Sequence, residues 1–208
     1  NTIQDKSKLV NSVFSKVFKK YDLMNDIMSF GIHRLWKQKF INWMNPQRNT
    51  KLIDVASGTG DIAKLFLKKT SNQGLVTCVE PNTEMLNEGK EKLKRFNSIK
   101  WVNAKAEKIP LRSNTFDYYS ISYGIRNVSD INQSLKEAFR LLKSGGRFMC
   151  LEFSKLDNEI LKYIYQRYSK MIPSIGKLIV GSDKPYKYLI ESIDKFYNQE
   201  ELAELMIK

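Results

Sequence analysis

Apolar positions along this chain follow two different periods, and the changes between them mark its organisation. Over residues 1–47 the spacing is helical. Val10, Val13, Phe14, Val17, Phe18 and Tyr21 fall on one face, with Lys16, Lys19 and Lys20 interleaved, which predicts an amphipathic helix. From Leu52 onward, short apolar runs alternate with helical stretches. Strands are predicted over 52–56, 75–80, 99–104, 116–123 and 147–153, and helices over 61–69, 82–96 and 131–142. After Ser154 helical spacing returns, with Ile160, Leu161, Ile164, Tyr165, Tyr168, Met171 and Ile172 on one face. Apolar strands separated by helices argue for an α/β domain with a mostly parallel sheet covered on both faces. Right-handed crossovers then place ligands at the carboxyl ends of the strands. The expected organisation is one domain: a helical cap over 1–47, an α/β core over 48–154, and a helical lid with a C-terminal helix over 155–208.

Composition narrows the class. A chain of 208 residues, 42% of them hydrophobic, suffices for one core and is too apolar for a disordered protein. No apolar run approaches the ~20 residues that span a bilayer. The first residues, Asn-Thr-Ile-Gln-Asp-Lys, hold no signal core and no initiator Met, so trimmed upstream residues are expected. Cys78 and Cys150 sit in apolar strand-like runs and there is one His, so two reduced buried thiols and no metal site are expected. The formal charge of +13 fits a solvated Lys-rich surface, an anionic membrane surface or nucleic acid.

The chemistry starts at Asp54-Val55-Ala56-Ser57-Gly58-Thr59-Gly60-Asp61. Gly58 and Gly60 end the first predicted strand and open a helix, where the backbone must turn tightly against a ligand. Asp54 lies at the strand end. Glu80 ends the second strand, about 20 residues on, where a carboxylate can accept both hydroxyls of a ribose. Asp61 occupies the helix N-terminus that a pyrophosphate would need, and a carboxylate there repels phosphate. The loop therefore suits a nucleoside without phosphates, such as S-adenosylmethionine. Lys105, Ala106 and Glu107 follow the third strand, where an adenine edge would be read. Ser122 ends the fourth. Asp117 is expected to be a turn or cap residue, and Met85 and Ile109 either pack on adenine or belong to the core.

Three stretches carry a resemblance: Tyr21 to Lys37, Asp54 to Asp61, and Ser122-Tyr123-Gly124-Ile125-Arg126-Asn127-Val128-Ser129-Asp130, which continues through Leu141 to Arg147 and Leu151 to Ser154. In these the chain resembles the UbiE/MenG family, the C-methyltransferases of ubiquinone and menaquinone biosynthesis. The first and third blocks are far more specific than the loop. The resemblance implies a Rossmann-like class I methyltransferase fold, with S-adenosyl-L-methionine bound by Asp54, Ser57, Gly58, Thr59, Gly60, Glu80, Lys105, Ala106 and Ser122. Three positions depart from the family pattern: Glu80 for Asp, Lys105 for Asn or Asp, and Ser144 for the Pro before Gly145-Gly146. The family fold continues into a final pair of strands beyond Lys208, so the expected sheet lacks them.

The implied reaction moves a methyl group to a ring carbon of a prenylated hydroquinone, demethylmenaquinol or a polyprenyl methoxybenzoquinol. Arg126 is the expected stabiliser of the phenolate, with a salt bridge to the N-terminal segment as its alternative role, and Asn127 would orient a ring oxygen. Tyr21, Asp22, His33 and Glu152 are candidates for a base. General-base help contributes about 10²–10⁴-fold, and positioning can remove roughly 7–11 kcal/mol of barrier, so transfer that runs mainly on positioning does not need an obvious base. The N-terminal helix and residues 155–190 are expected to form an apolar entrance through Phe14, Phe18, Met24, Met28, Tyr165, Tyr168, Met171 and Ile172. Expected partners are the quinol, an anionic membrane face reached from the cytoplasm or mitochondrial matrix, and a second copy or quinone-biosynthesis proteins. Two rival readings stand beside this one: an RNA methyltransferase, against which no RNA-binding module or catalytic motif is found, and a non-catalytic S-adenosylmethionine-binding scaffold.

Overall fold

A computed structural model of the chain describes residues 29, 31–154 and 184–207. The predicted amphipathic helix with Tyr21 and Asp22, and the apolar face over 160–172, lie outside the described residues. Two compact units are distinguished. The first is Leu35–Glu152, and the second holds the described residues 29, 31–34, 153–154 and 184–207.

The first unit is built on five strands: β1 Lys51–Val55, β2 Leu75–Val79, β3 Ile99–Val102, β4 Phe116–Ser122 and β5 Leu142–Leu151. They pair in the order β3-β2-β1-β4-β5, every pairing parallel. Helix α1 (Ile32–Met44) precedes β1. Helices α2 (Asp61–Lys69), α3 (Thr83–Lys92) and α4 (Ile131–Leu141) cross between strands. Four of the five residues of β1 and of β2 are buried, as parallel strands covered on both faces must be. Phe40, Ile41 and Met44 of α1 and Ile62, Ala63, Phe66 and Leu67 of α2 pack with Leu52, Val76, Cys78 and Tyr118 of the sheet in one cluster.

Local chemistry sets the element ends. Asn82 caps α3 by accepting the Met85 amide at 2.9 Å, and Asp130 caps α4 by accepting Gln133 at 3.0 Å. Helix α3 is shorter than predicted, because the chain tightens at Leu93, whose carbonyl accepts the Phe96 amide. Strand β5 starts earlier than predicted. Phe116 pairs with Leu142 and Tyr118 with Arg147, so residues 143–146 bulge out of the ladder, with Gly145 at φ 76° turning the chain. Asp117, expected to be a turn or cap residue, is instead the second residue of β4, where its carboxylate accepts the Lys51 amide at 2.7 Å and the Lys143 ammonium at 2.6 Å.

In the second unit, helices α5 (Lys184–Asp194) and α6 (Gln199–Ile207) match the predicted helical character. Leu189, Ile193 and Phe196 are buried there. A reciprocal box opens α6: the Asn198 side chain accepts the Glu201 amide at 2.8 Å, and the Glu201 carboxylate accepts the Asn198 amide at 2.7 Å.

Candidate active site

The strand order reverses direction at β1 and β4, so the loops leaving their carboxyl ends diverge and open a crevice. The backbone is strained there. Ala56 and Tyr123, the residues just past β1 and β4, hold φ of 52° and 56°, and Gly58 and Gly60 hold 55° and 86°. A left-handed Ala or Tyr is costly and persists where a site requires it. The glycines answer to close packing as well. A Cβ on Gly60 would stand 2.6 Å from Leu93 Cδ1 and 3.0 Å from Trp101 Cη2. Trp101 and Leu93 thus form a floor beneath the loop that only glycine can approach.

Around this loop lie the acidic residues anticipated from the sequence. Asp54 is buried, and one carboxylate oxygen accepts the Ser120 hydroxyl at 2.7 Å. The other oxygen, Oδ2, has no hydrogen-bond partner in the protein. Burial pushes the Asp54 carboxyl up to about 7, against the opposing pull of Ser120 and Lys37. Glu80 is buried too. Its oxygens accept the Gly58 amide at 2.8 Å and the Asn82 amide at 2.9 Å, and desolvation still lifts it to about 7. Each Glu80 oxygen retains a free lone pair for a hydroxyl donor. Asn103 fixes this strand end by donating to the Glu80 carbonyl at 2.9 Å. Ser122 Oγ is a second buried polar atom without a partner. Buried polar atoms require partners, so Asp54 Oδ2 and Ser122 Oγ are positions open to a polar ligand near the carboxyl ends of β1 and β4. A nucleoside bearing hydroxyl and amino donors fits this acceptor set.

Asp61 is held where the sequence placed it, at the head of α2. Burial opposes its charge, but two ammonium groups overcome that: Lys37 at 2.8 Å and Lys92 at 2.9 Å keep it well below the usual carboxylate range. Lys92 also donates to Thr59 Oγ1 at 3.0 Å. One carboxylate thereby ties α1, the nucleoside loop and α3 together. Neither lysine was identified as a site residue from the sequence. The signal was present for Lys37, which shares the buried face of α1 with Phe40, Ile41 and Met44, where a cation needs a partner.

The remaining candidates separate. Lys105 is exposed and turns back on Lys108 in an isolated bridge, with Ala106 buried beside it. Glu107 is a latch between loops, accepting the Ser129 amide at 2.7 Å and the Asp130 amide at 3.2 Å. Met85 and Ile109 are buried. Arg126 and Asn127 lie in a 3₁₀ turn, Ile125–Asn127, just past β4. Arg126 is buried, and its guanidinium forms an ion pair with Glu152, just past β5. Glu152 also accepts the Arg126 amide at 3.4 Å, and the Tyr123 carbonyl accepts from the guanidinium. Asn127 is half-buried. His33 is buried in the second unit, where its amide donates to Ser29 Oγ at 3.1 Å.

Comparison with known proteins agrees with this geometry. The model of the ubiE/COQ5 methyltransferase family matches residues 2–208. A protein named ubiquinone/menaquinone biosynthesis C-methyltransferase UbiE from Rickettsia bellii is 51% identical over 98% of this chain and 84% of its own length. Its namesake from Rickettsia prowazekii is 50% identical over the same shares. Among solved structures, a SAM-dependent methyltransferase from Thermotoga maritima superposes with a TM-score of 0.63 at 22% identity, over 94% of this chain and 78% of that one. One from Aquifex aeolicus gives 0.54 at 21%, over 59% and 66%. Those two establish the Rossmann-like class I fold, and the full-length match establishes kinship: the chain belongs to the ubiE/COQ5 methyltransferase family.

Proposed function

We propose that the protein is an S-adenosyl-L-methionine-dependent C-methyltransferase acting on a prenylated hydroquinone, a reading supported by relatives named ubiquinone/menaquinone biosynthesis C-methyltransferase. The observation that carries this reading is the pairing of two features at one end of one sheet. An acceptor-rich nucleoside crevice lies past β1 and β2, and a buried arginine–carboxylate pair lies past β4 and β5.

Asp54, Ser57, Gly58, Thr59, Gly60, Glu80, Lys105, Ala106 and Ser122 would hold the cofactor, with Glu80 accepting its ribose hydroxyls. The bound cofactor supplies an electrophilic methyl group. The remainder of the reaction falls to the chain and the quinol. A ring carbon ortho to a hydroxyl becomes nucleophilic as that hydroxyl loses its proton, and once this carbon carries the methyl its own hydrogen leaves as a proton to a base or water, restoring the aromatic ring. Arg126 stabilises the developing phenolate, because a fixed guanidinium in a site poor in water is worth far more than one in solution. Glu152 holds that guanidinium in place and is the one base candidate that belongs to the first unit. Asn127 orients a ring oxygen, and Tyr21, Asp22 and His33 remain base candidates. The protein works at the surface of an anionic membrane, alone or with quinone-biosynthesis partners. Among the described residues no helix is long and apolar enough to cross a bilayer.

The test is transfer of labelled methyl from S-adenosylmethionine to reduced, short-tailed benzoquinol and naphthoquinol acceptors, beside bulk tRNA. Label in a quinol is the expected result, and the ratio of the two acceptors assigns the ring. Label in RNA overturns the proposal. Cofactor binding with no transfer to any quinol supports the scaffold reading instead.

A further inference from the structure

Helix α1 has two apolar faces, and only one is used by the core. At 100° per residue, Lys37, Phe40, Ile41 and Met44 line the inner side, all buried. Leu35, Trp36, Lys39 and Trp43 occupy a ~100° arc on the opposite side. Leu35 is 63% exposed, Trp36 36% and Trp43 77%. Two tryptophans and a leucine facing solvent on one short helix form a patch, unlike the single exposed apolar residues normal for any surface. The charge along this stretch of chain has one sign. From Ile27 to Ile53 the chain holds no Asp or Glu. Lys39 rises within the patch, Arg48 and Lys51 are exposed just past it, and Lys69 donates to Asn42 Oδ1 at 3.2 Å beside Trp43.

We propose that this outer face of α1 is the surface by which the protein seats on an anionic lipid bilayer. Tryptophan is the side chain best suited to a membrane interface, apolar in body with a polar N–H. Lysine and arginine stems lie along acyl chains while their heads reach the phosphates. A second copy is the poorer fit, because a two-fold contact through this face would set Lys39, Arg48 and Lys69 against their own images. Nucleic acid would answer the cations but leave Leu35 without a role. The surface is argued from composition and charge alone, while its purpose, access to a prenylated substrate, rests on the quinol reading above.

The experiment uses the full chain and vesicles of phosphatidylcholine, with and without phosphatidylglycerol. Tryptophan emission should shift to the blue on the anionic vesicles only, and brominated acyl chains should quench it. Added salt should weaken binding. Trp43→Ser and Leu35→Ser should each lower the partition coefficient by on the order of tenfold. Their melting temperatures should match the parent's, since both side chains face solvent. The proposal fails if the parent chain ignores anionic vesicles, or if both variants bind them as the parent does. It fails equally if the face proves to be a dimer contact that Trp43→Ser splits, or if salt-sensitive RNA binding replaces lipid binding. Methyl transfer to a water-soluble short-tailed quinol is followed in parallel. Its absence from the parent chain, with vesicle binding intact, would count against the reaction and not against the surface.

Discussion

Asp54 and Glu80 are carboxyls whose charge is opposed by burial. Burial lifts each carboxyl from its ordinary 3.8 or 4.5 to about 7, Asp54 with one oxygen unpartnered. The direction of the linkage follows. A group whose folded pKa is raised binds its proton more tightly in the native state, so its stabilisation is complete below the unfolded pKa and is lost as pH climbs through the folded one. The ligand-free protein should therefore lose stability between about pH 4.5 and pH 7, by at most a few kcal/mol per carboxyl. Asp54→Asn should flatten that slope, and at pH 7.5 it should raise ligand-free stability while weakening cofactor binding. Urea unfolding at pH 5.5 and 7.5, beside calorimetric titration with S-adenosylhomocysteine, checks both halves. A parent chain whose stability is flat over that range would contradict the assignment. Stability given up for function at a buried charge is expected of a binding site.

At the scale of elements, the nucleoside loop is fixed from two directions, and the supports have a measurable cost of removal. From below, Trp101 of β3 fills the space a side chain on α3 would need: a Cβ at Gly89 would lie 2.3 Å from its Cη2 and 2.8 Å from its Cζ3. Gly89→Ala should destabilise the protein by about 1–3 kcal/mol through overpacking, read as a fall in urea midpoint. From the side, Lys37 of α1 and Lys92 of α3 converge on Asp61. Lys37→Met keeps the buried stem but removes the charge, so it should cost about 1–3 kcal/mol of stability. It should also raise the cofactor Kd by on the order of tenfold, with Lys37→Arg recovering part of both. These contacts show what the sequence could and could not reveal. Strand and helix identities were legible because buried parallel strands read as apolar runs, and the acids at 54, 61 and 80 were legible because their spacing follows the βαβ unit. Lys92 was not, since a lysine in the last turn of a helix looks like any solvated one. Its approach to Thr59 and Asp61 exists only once α3 folds back over the loop. Glu107 was read as part of an adenine site because it follows β3, whereas tertiary packing gives its carboxylate to the Ser129 and Asp130 amides.

Across the whole sheet, the strand order divides the labour of the proposed reaction. Residues offered to the cofactor come chiefly from the ends of β1 and β2, with Ser122 at the boundary. Arg126 and Glu152 come from the ends of β4 and β5. The Arg126 guanidinium is held by Glu152 and the Tyr123 carbonyl, at the ends of β4 and β5. Substitutions on the two sides should then move different kinetic constants. Arg126→Lys retains a cation but loses the planar fork that meets Glu152 and, in the proposed reaction, would meet a ring oxygen. It should lower kcat by roughly 10²–10³-fold, the cost of removing a preorganised oxyanion donor, while S-adenosylhomocysteine binds within about twofold of the parent. Glu80→Gln should do the reverse, raising the cofactor Kd and leaving saturated kcat much closer to that of the parent. Glu152→Gln tests the link between the two roles. It leaves a buried guanidinium without its counter-charge, so it should destabilise the fold by about 3–5 kcal/mol, and kcat should fall with it if Glu152 holds Arg126 toward the substrate. Steady-state kinetics on a short-tailed quinol, with cofactor affinity measured separately by calorimetry, resolves the pattern. If Arg126→Lys weakened cofactor binding as much as turnover, the arginine would belong to the nucleoside crevice, and the division of the sheet into a cofactor side and a substrate side would not hold.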